Sequence, residues 1–357
     1  MTRLKLGMVG GGQGAFIGGV HRYASRLDGR WELVAGALSS NAQRAADSAA
    51  ELGIAPDRSY ADFNAMAVAE AARADGIDAV SIVTPNHMHA APTIAFLNAG
   101  ISVICDKPLC ASLDEAAEIA TAIKASRAHF ILTHNYTGYP LMRQARQMIA
   151  RGDLGKIRVV QAEYAQDWLS GALETEGNKQ AVWRTDPAKS GGGGAIGDIG
   201  THALNLLTFV TGLDATALSA DLHSFGKGRQ VDDNAHIMLR LDGGAKAMLW
   251  ASQVAVGNEN GLRLRIYGDK GGFEWGQENP NAMTFTPLGA PKQIITRGGA
   301  GLGGGAGDCT RIPPGHPEGY LEGFATIYND AADLIGGKGD GALLPGYSGA
   351  RPKLTAP

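Results

Sequence analysis

Asp198 and His202 stand four residues apart in Gly197-Asp198-Ile199-Gly200-Thr201-His202. On a helix that spacing puts a carboxylate and an imidazole on one face. The carboxylate then raises the basicity of the ring and fixes its orientation, which makes a general base. The same pair also reads as a helix cap and a core histidine. Lys107 stands in Cys105-Asp106-Lys107-Pro108-Leu109. A residue before proline is held extended, which aims its side chain, and a cis bond at Pro108 is compatible with the motif. A lone lysine is commonly solvated. At the carboxyl end of a strand in a cofactor domain it is a candidate acid/base or oxyanion partner.

Gly10-Gly11-Gly12-Gln13-Gly14-Ala15-Phe16-Ile17-Gly18-Gly19 follows an apolar strand and opens a helix. That context makes it a dinucleotide fingerprint: the glycines permit a tight turn and let the backbone approach a pyrophosphate at the helix N-terminus. Gly10, Gly12 and Ala15 fit its G/A form, and Gly12 with Gly18 fits equally with an insertion between them. An NAD site usually offers Asp or Glu after the second strand. Here Ser39, Ser40 and Asn41 follow, then Arg44. Ser and Arg suit a 2′-phosphate, so the pattern leans to NADP. NAD stays open, because backbone contacts tolerate either, and Arg44 also reads as a solvated helix residue. Thr84-Pro85-Asn86-His87-Met88-His89 closes the third strand, at the sheet edge where ligands bind. Asn86 is placed to reach the ribose. The His87/His89 pair invites a metal, but no acidic or histidine cluster at ligand spacing accompanies it, so none is expected.

The elements that must position these residues are legible in outline. Five apolar runs read as strands: Leu4–Val9, Trp31–Leu38, Ile77–Val83, Ile101–Cys105 and Phe130–Thr133. Helical stretches alternate with them, one capped by Asn41 and one opened by a Ser112/Glu115 capping box. Apolar strands alternating with helices indicate a doubly wound parallel sheet. Beyond a helix at Pro140–Arg151 the pattern changes to longer, partly alternating strands at 157–166, 232–241, 246–254 and 262–267. They are separated by glycine turns, with one main helix at 195–211, and 298–307 reads as a glycine-rich loop. The expected fold is α/β: a Rossmann domain at 1–133, an α+β domain with a large, mostly antiparallel open sheet at 134–335, and a disordered tail at 336–357.

The chain has 357 residues, with 32 Lys plus Arg against 35 Asp plus Glu, for a net charge of −3. With no basic surplus, nucleic acid is not expected as a partner. Cys105, Cys110 and Cys309 form neither a disulfide framework nor a Cys-x-x-Cys pair. No apolar run suits a membrane span, and no signal core of about 7 to 15 apolar residues precedes the first strand. Cytoplasm is the expected compartment.

Together these motifs resemble the glucose–fructose oxidoreductase, inositol dehydrogenase and rhizopine-catabolism family (Gfo/Idh/MocA). The likeness runs from about Leu4 to Ile335. It includes the glycine loop, the Thr84–His89 motif, and Asp106-Lys107-Pro108 as a variant of the family's Glu-Lys-Pro. It also includes the stretches 183–202, 231–236 and 267–275. The resemblance implies a nicotinamide-dependent oxidoreductase acting on a ring carbon of a sugar, polyol or glycoside. Lys107, Asp198 and His202 would be catalytic. Gly10, Gly12, Gln13, Phe16, Ile17, Ser39, Ser40, Arg44, Thr84, Pro85, Asn86, His89, Asp106 and Lys107 would bind cofactor. Tyr136, Trp168, Arg184 and His316 would join the catalytic set in binding substrate. Thr137 replaces the arginine that many relatives carry in an Asn-x-Arg motif, which puts an acidic-substrate contact there in doubt. Relatives also imply a homodimer or homotetramer through the C-terminal sheet. Two rival readings are an NAD-dependent glycosidase using transient oxidation, and a non-catalytic cofactor sensor. The tail after Ile335 departs from the family, whose members continue with a further helix.

Overall fold

The computed structural model describes residues 3–341. Of the tail expected at 336–357, residues 342–357 lie outside the described residues. Two compact units form: residues up to 135 together with those from 321, and residues 136–320.

In the first unit, β1 (Leu4–Gly10), β2 (Trp31–Ala37), β3 (Ala79–Val83), β4 (Ser102–Asp106) and β5 (Phe130–Thr133) make a parallel sheet in the order β2-β1-β3-β4-β5. A single parallel bridge, Gly36 to Ser59, stands outside β2 where a Rossmann sheet carries a further strand. β3 and β4 are buried along their whole length, which is why their sequences do not alternate. Asn41 caps the helix Ala42–Glu51, and the Ser112/Glu115 capping box opens Leu113–Ala125, both as expected from their spacing. The helix Phe63–Ala72, capped by Asp62, was not foreseen. The order reverses between β1 and β3, and the crevice at such a switch point is where ligands sit.

The last helix, Tyr320–Ile335, differs from expectation in its allegiance: from Leu321 onward it belongs to the first unit. Trp31 donates to the Tyr328 carbonyl at 2.9 Å, and Arg30 pairs with Asp333 at 2.7 Å. Its periodicity marks a helix but names no partner. The second unit therefore ends well before 335.

The second unit is an eight-stranded sheet in the order β13-β12-β11-β10-β6-β9-β8-β7. Its strands are β6 (Ile157–Ala165), β7 (Ala215–His223), β8 (Asn234–Leu241), β9 (Lys246–Ser252), β10 (Gly261–Gly268), β11 (Gly271–Gly276), β12 (Ala282–Pro287) and β13 (Gln293–Thr296). Only β6 with β9 is parallel. Edge strand β7 is exposed along its whole length and so lacks the alternation that announces a strand. The glycine-rich stretch expected as loop ends in a one-turn helix, Gly304–Gly307. The segment expected as a single α-helix at 195–211 is a π-helical turn, Ile196–Gly200, running into an α-helix, Thr201–Thr211. Ala203, Leu206, Leu207 and Val210 of that helix are buried.

Candidate active site

The glycine loop is built for close approach. Gly10, Gly11 and Gly14 take positive φ of 78°, 74° and 77°, which side chains resist. A Cβ on Gly12 would meet the Leu38 carbonyl oxygen at 2.7 Å, and one on Gly18 would meet the Gly11 Cα at 2.4 Å. So the helix Phe16–Leu27 sits directly on the loop. Its N-cap, Ala15, makes no side-chain cap among the described residues, and its first turn carries no acid. The N–H groups at that end suit an anionic ligand. A cavity of about 440 Å³ opens here, lined by the loop with Phe16, Arg22, Ser48 and Glu51. Arg22 donates to the Gly11 carbonyl at 2.5 Å, and burial lowers its pKa. Gln13 donates its backbone N–H to Ser48 and its amide to Glu51. A pyrophosphate-bearing nucleotide fits this cradle. Phe16 is exposed, whereas Ile17 packs on the core with Met8 and Leu38.

After β2, Ser39 Oγ accepts from the Asn41 N–H at 3.2 Å, and Asn41 accepts from the Arg44 N–H at 2.9 Å. Ser40 and Arg44 are exposed. After β3, Thr84 donates to the Met88 carbonyl, Pro85 starts a 3₁₀ turn, and Asn86 is buried. Both ring nitrogens of buried His89 face backbone carbonyls, Pro108 at 2.7 Å and Thr84 at 2.8 Å. His89 is thereby a brace between two loops. After β4, the Lys107–Pro108 bond is cis. Burial pushes the Asp106 carboxyl up, but the hydrogen bond from His21, helped by the Lys107 charge, holds it below the usual carboxylate range. His134, at the end of β5, is pushed down to about 3 by burial and by the Lys107 charge.

In the second unit, Asp232 organises the turn that carries Asp198. Its carboxylate accepts from the Gly194 and Ile196 N–H groups at 2.7 and 2.8 Å. Burial nonetheless raises its pKa. Asp198 thus does not cap the helix. It lies within the π turn, and its Oδ2 accepts from Arg184 at 3.2 Å and from Gln253 at 2.9 Å. The Arg184 guanidinium also lies over the rings of Trp183 and Trp168. His202 is buried, with the Tyr136 ring edge-on at 4.9 Å. Tyr136 donates to Tyr164 at 2.6 Å, which in turn donates to Asn260 at 2.7 Å. π turns recur at functional sites because the extra residue re-aims side chains.

Residues 4–136 match the oxidoreductase family with an NAD-binding Rossmann fold, GFO/IDH/MocA, and residues 142–274 match the GFO/IDH/MocA C-terminal domain. An uncharacterised oxidoreductase of Bacillus subtilis is 34% identical over 94% of this chain and 86% of its own length. The chain belongs to the GFO/IDH/MocA oxidoreductase family. A solved oxidoreductase from Sinorhizobium meliloti is 53% identical, with a TM-score of 0.88 over 97% of this chain and 92% of that one. An inositol dehydrogenase homologue from Azotobacter vinelandii, solved with NADH and myo-inositol, is 37% identical, with a TM-score of 0.87 over 97% and 90%.

Within this GFO/IDH/MocA chain, the second unit brings Tyr136, Trp168, Arg184, Asp198 and His202 into one connected group. His316 is exposed on a loop outside that group. The loop is pinned by Arg297, which bonds the His316 and Pro313 carbonyls and the buried Glu318 carboxylate. Sequence reasoning passed over Arg22, His21, His134, Asp232 and Gln253. Asp232 stood inside a matched motif, so a signal existed. Gln253 offered none, since its partner lies 55 residues away.

Proposed function

We propose that this protein is an NADP-preferring dehydrogenase or reductase of a sugar or polyol, with Lys107, Asp198 and His202 as its catalytic residues. The observation that carries this reading is the double grip of Arg184 and Gln253 on Asp198 Oδ2, one turn from His202. A carboxylate held in that way keeps its orientation, and such a group steers an imidazole toward proton transfer. His202 takes the proton from the substrate hydroxyl in oxidation and returns it in reduction. Lys107, in the first unit, is assigned to hold negative charge that develops on the substrate. When bound, the nicotinamide supplies or accepts the hydride. Trp168 stacks on the apolar face of a ring, while Tyr136 and Arg184 supply hydroxyl contacts.

The cofactor preference rests on Ser39, Ser40 and Arg44, with no carboxylate between Leu38 and Arg44 to repel a 2′-phosphate. The Azotobacter relative was solved with NADH, so the choice is a property of each chain. The three cysteines are free thiols, which fits a reducing cytoplasm. Among the described residues no helix is long and apolar enough to cross a membrane.

The outer face of the large sheet carries Met238 and Met248 directly opposite each other, both about half exposed, with Ser219 of the edge strand paired beside Met238. We assign this face to self-association into a dimer or tetramer. Light scattering of Met238→Lys should then give a smaller species than the parent.

The decisive experiment titrates the protein with NADPH and NADH by fluorescence, then follows absorbance at 340 nm with sugars, inositols and glycosides. Substrate-dependent oxidation or reduction supports the reading. Tight cofactor binding with no net change on any substrate refutes it.

A further inference from the structure

The first unit buries a set of polar side chains that the proposed chemistry leaves unused, and they converge on Asp106. His21, on the first helix, is fully buried. Its Nε2 faces Asp106 Oδ1 at 3.4 Å. Its Nδ1 faces Ser81 Oγ at 3.1 Å and Tyr328 Oη at 2.9 Å. Tyr328 donates to Ser81 at 3.0 Å. A carboxylate only accepts, so the ring proton belongs on Nε2, and Nδ1 accepts from a hydroxyl. The donors therefore point one way: from Tyr328 to Ser81, to His21, to Asp106. Thr133 gives Oδ1 a second donor at 3.0 Å.

These side chains come from the first helix, β3, β4, β5 and the last helix. Apolar residues of like volume would fill the same space without the cost of burying polar groups. What the network holds is the start of the Asp106-Lys107-Pro108 segment. The other end is held by His89, whose Nδ1 lies 2.7 Å from the Pro108 carbonyl. The residue between the two anchors is Lys107.

We propose that His21, backed by Ser81 and Tyr328, is a positioning residue for Lys107, acting by holding Asp106 as an oriented carboxylate beside it. This rests on the role of Lys107 proposed above. The titratable groups around Asp106 are His21 from the first helix, His89 from the turn after β3, Cys105 and Lys107 on either side, His134 just after β5, and Tyr328 from the last helix, whose hydroxyl burial pushes up. Burial pushes the Cys105 thiol up, and burial with the Lys107 charge pushes the His134 ring down, so neither carries charge near neutral pH. Without His21 the buried carboxyl loses its main counterweight and its pKa rises. The acid limb of activity, which needs Asp106 ionised, then moves to higher pH.

The test is kcat/KM against pH for His21→Ala, His21→Gln and Tyr328→Phe, with Lys107→Ala beside them. His21→Ala should shift the acid limb upward and lower kcat by about 10- to 100-fold, the scale of a misplaced catalytic group. NADPH affinity by fluorescence should change far less than kcat. His21→Gln, which can donate at the same place, should restore most of both. Tyr328→Phe should shift the limb in the same direction by less, and it carries the test should His21→Ala not fold. Acid limbs that superimpose on the parent, whatever the fall in kcat, would reduce the network to packing and overturn the proposal. If Lys107→Ala keeps its turnover, the assignment of Lys107 itself has failed. If it loses turnover while the His21 variants match the parent, this inference alone has failed.

Discussion

Gln253 donates its side-chain amide to Oδ2 of Asp198 at 2.9 Å, from the residue that follows β9. Removing that donor loosens a half-buried carboxylate that Arg184 still holds. Gln253→Ala should lower kcat about tenfold, equivalent to about 1.4 kcal/mol at the barrier, with cofactor affinity unchanged. Steady-state rates at 340 nm together with fluorescence titration separate the two. An unchanged kcat would mean that Arg184 suffices.

Asp232 acts one step further back. Asp232→Ala strands the Gly194 and Ile196 N–H groups. Losing a helix-start acceptor costs about 1–2 kcal/mol, so the urea midpoint should fall with an unchanged slope. Asp232→Asn keeps an acceptor and should fall less. Equal losses for the two variants would refute the hydrogen-bonding account.

His202→Ala should cut turnover by about 10² to 10⁴, the range for a lost general base. NADPH and NADH should still bind as in the parent. Activity that survives would remove His202 from proton transfer.

Arg44→Ala should weaken NADPH binding far more than NADH binding. Its guanidinium is exposed near the start of its helix, so the change should leave stability within about 0.5 kcal/mol. Equal weakening of both cofactors would dismiss a 2′-phosphate contact.

His134 gives stability a pH signature. Burial holds its pKa at about 3 in the fold against the ordinary histidine value of 6.5, so the unfolded chain takes up the proton first. The stabilisation is complete above pH 6.5 and drains away as pH falls toward 3. His134→Gln should flatten that part of the curve, by a few kcal/mol at most. Urea midpoints measured across that range check it, and parallel curves would exclude His134 as a source.

The five parallel strands, the Asn41 cap and the Ser112/Glu115 box were legible because each is decided by neighbours in the chain. Lys107, Asp198 and His202 stood out through motif and spacing. The π turn did not, because its hydrogen-bond register is set by Asp232, far along the chain from Gly194. β7 hid because its faces are both wet, so no alternation marks it. His21 reads from sequence as an ordinary helix residue, and only the return of Tyr328 to its ring gives it a context.

That return makes the second unit, in chain terms, an insertion within the first. Trp31 and His21 are translated early, but the tyrosine they bond is made only after residue 320. A fragment cut after Asn135 would lack a structural wall and expose the side of the sheet meant to receive it, so a soluble nucleotide-binding piece should need the last helix joined back on. During synthesis, the nucleotide domain can finish folding only after everything it encloses has left the ribosome.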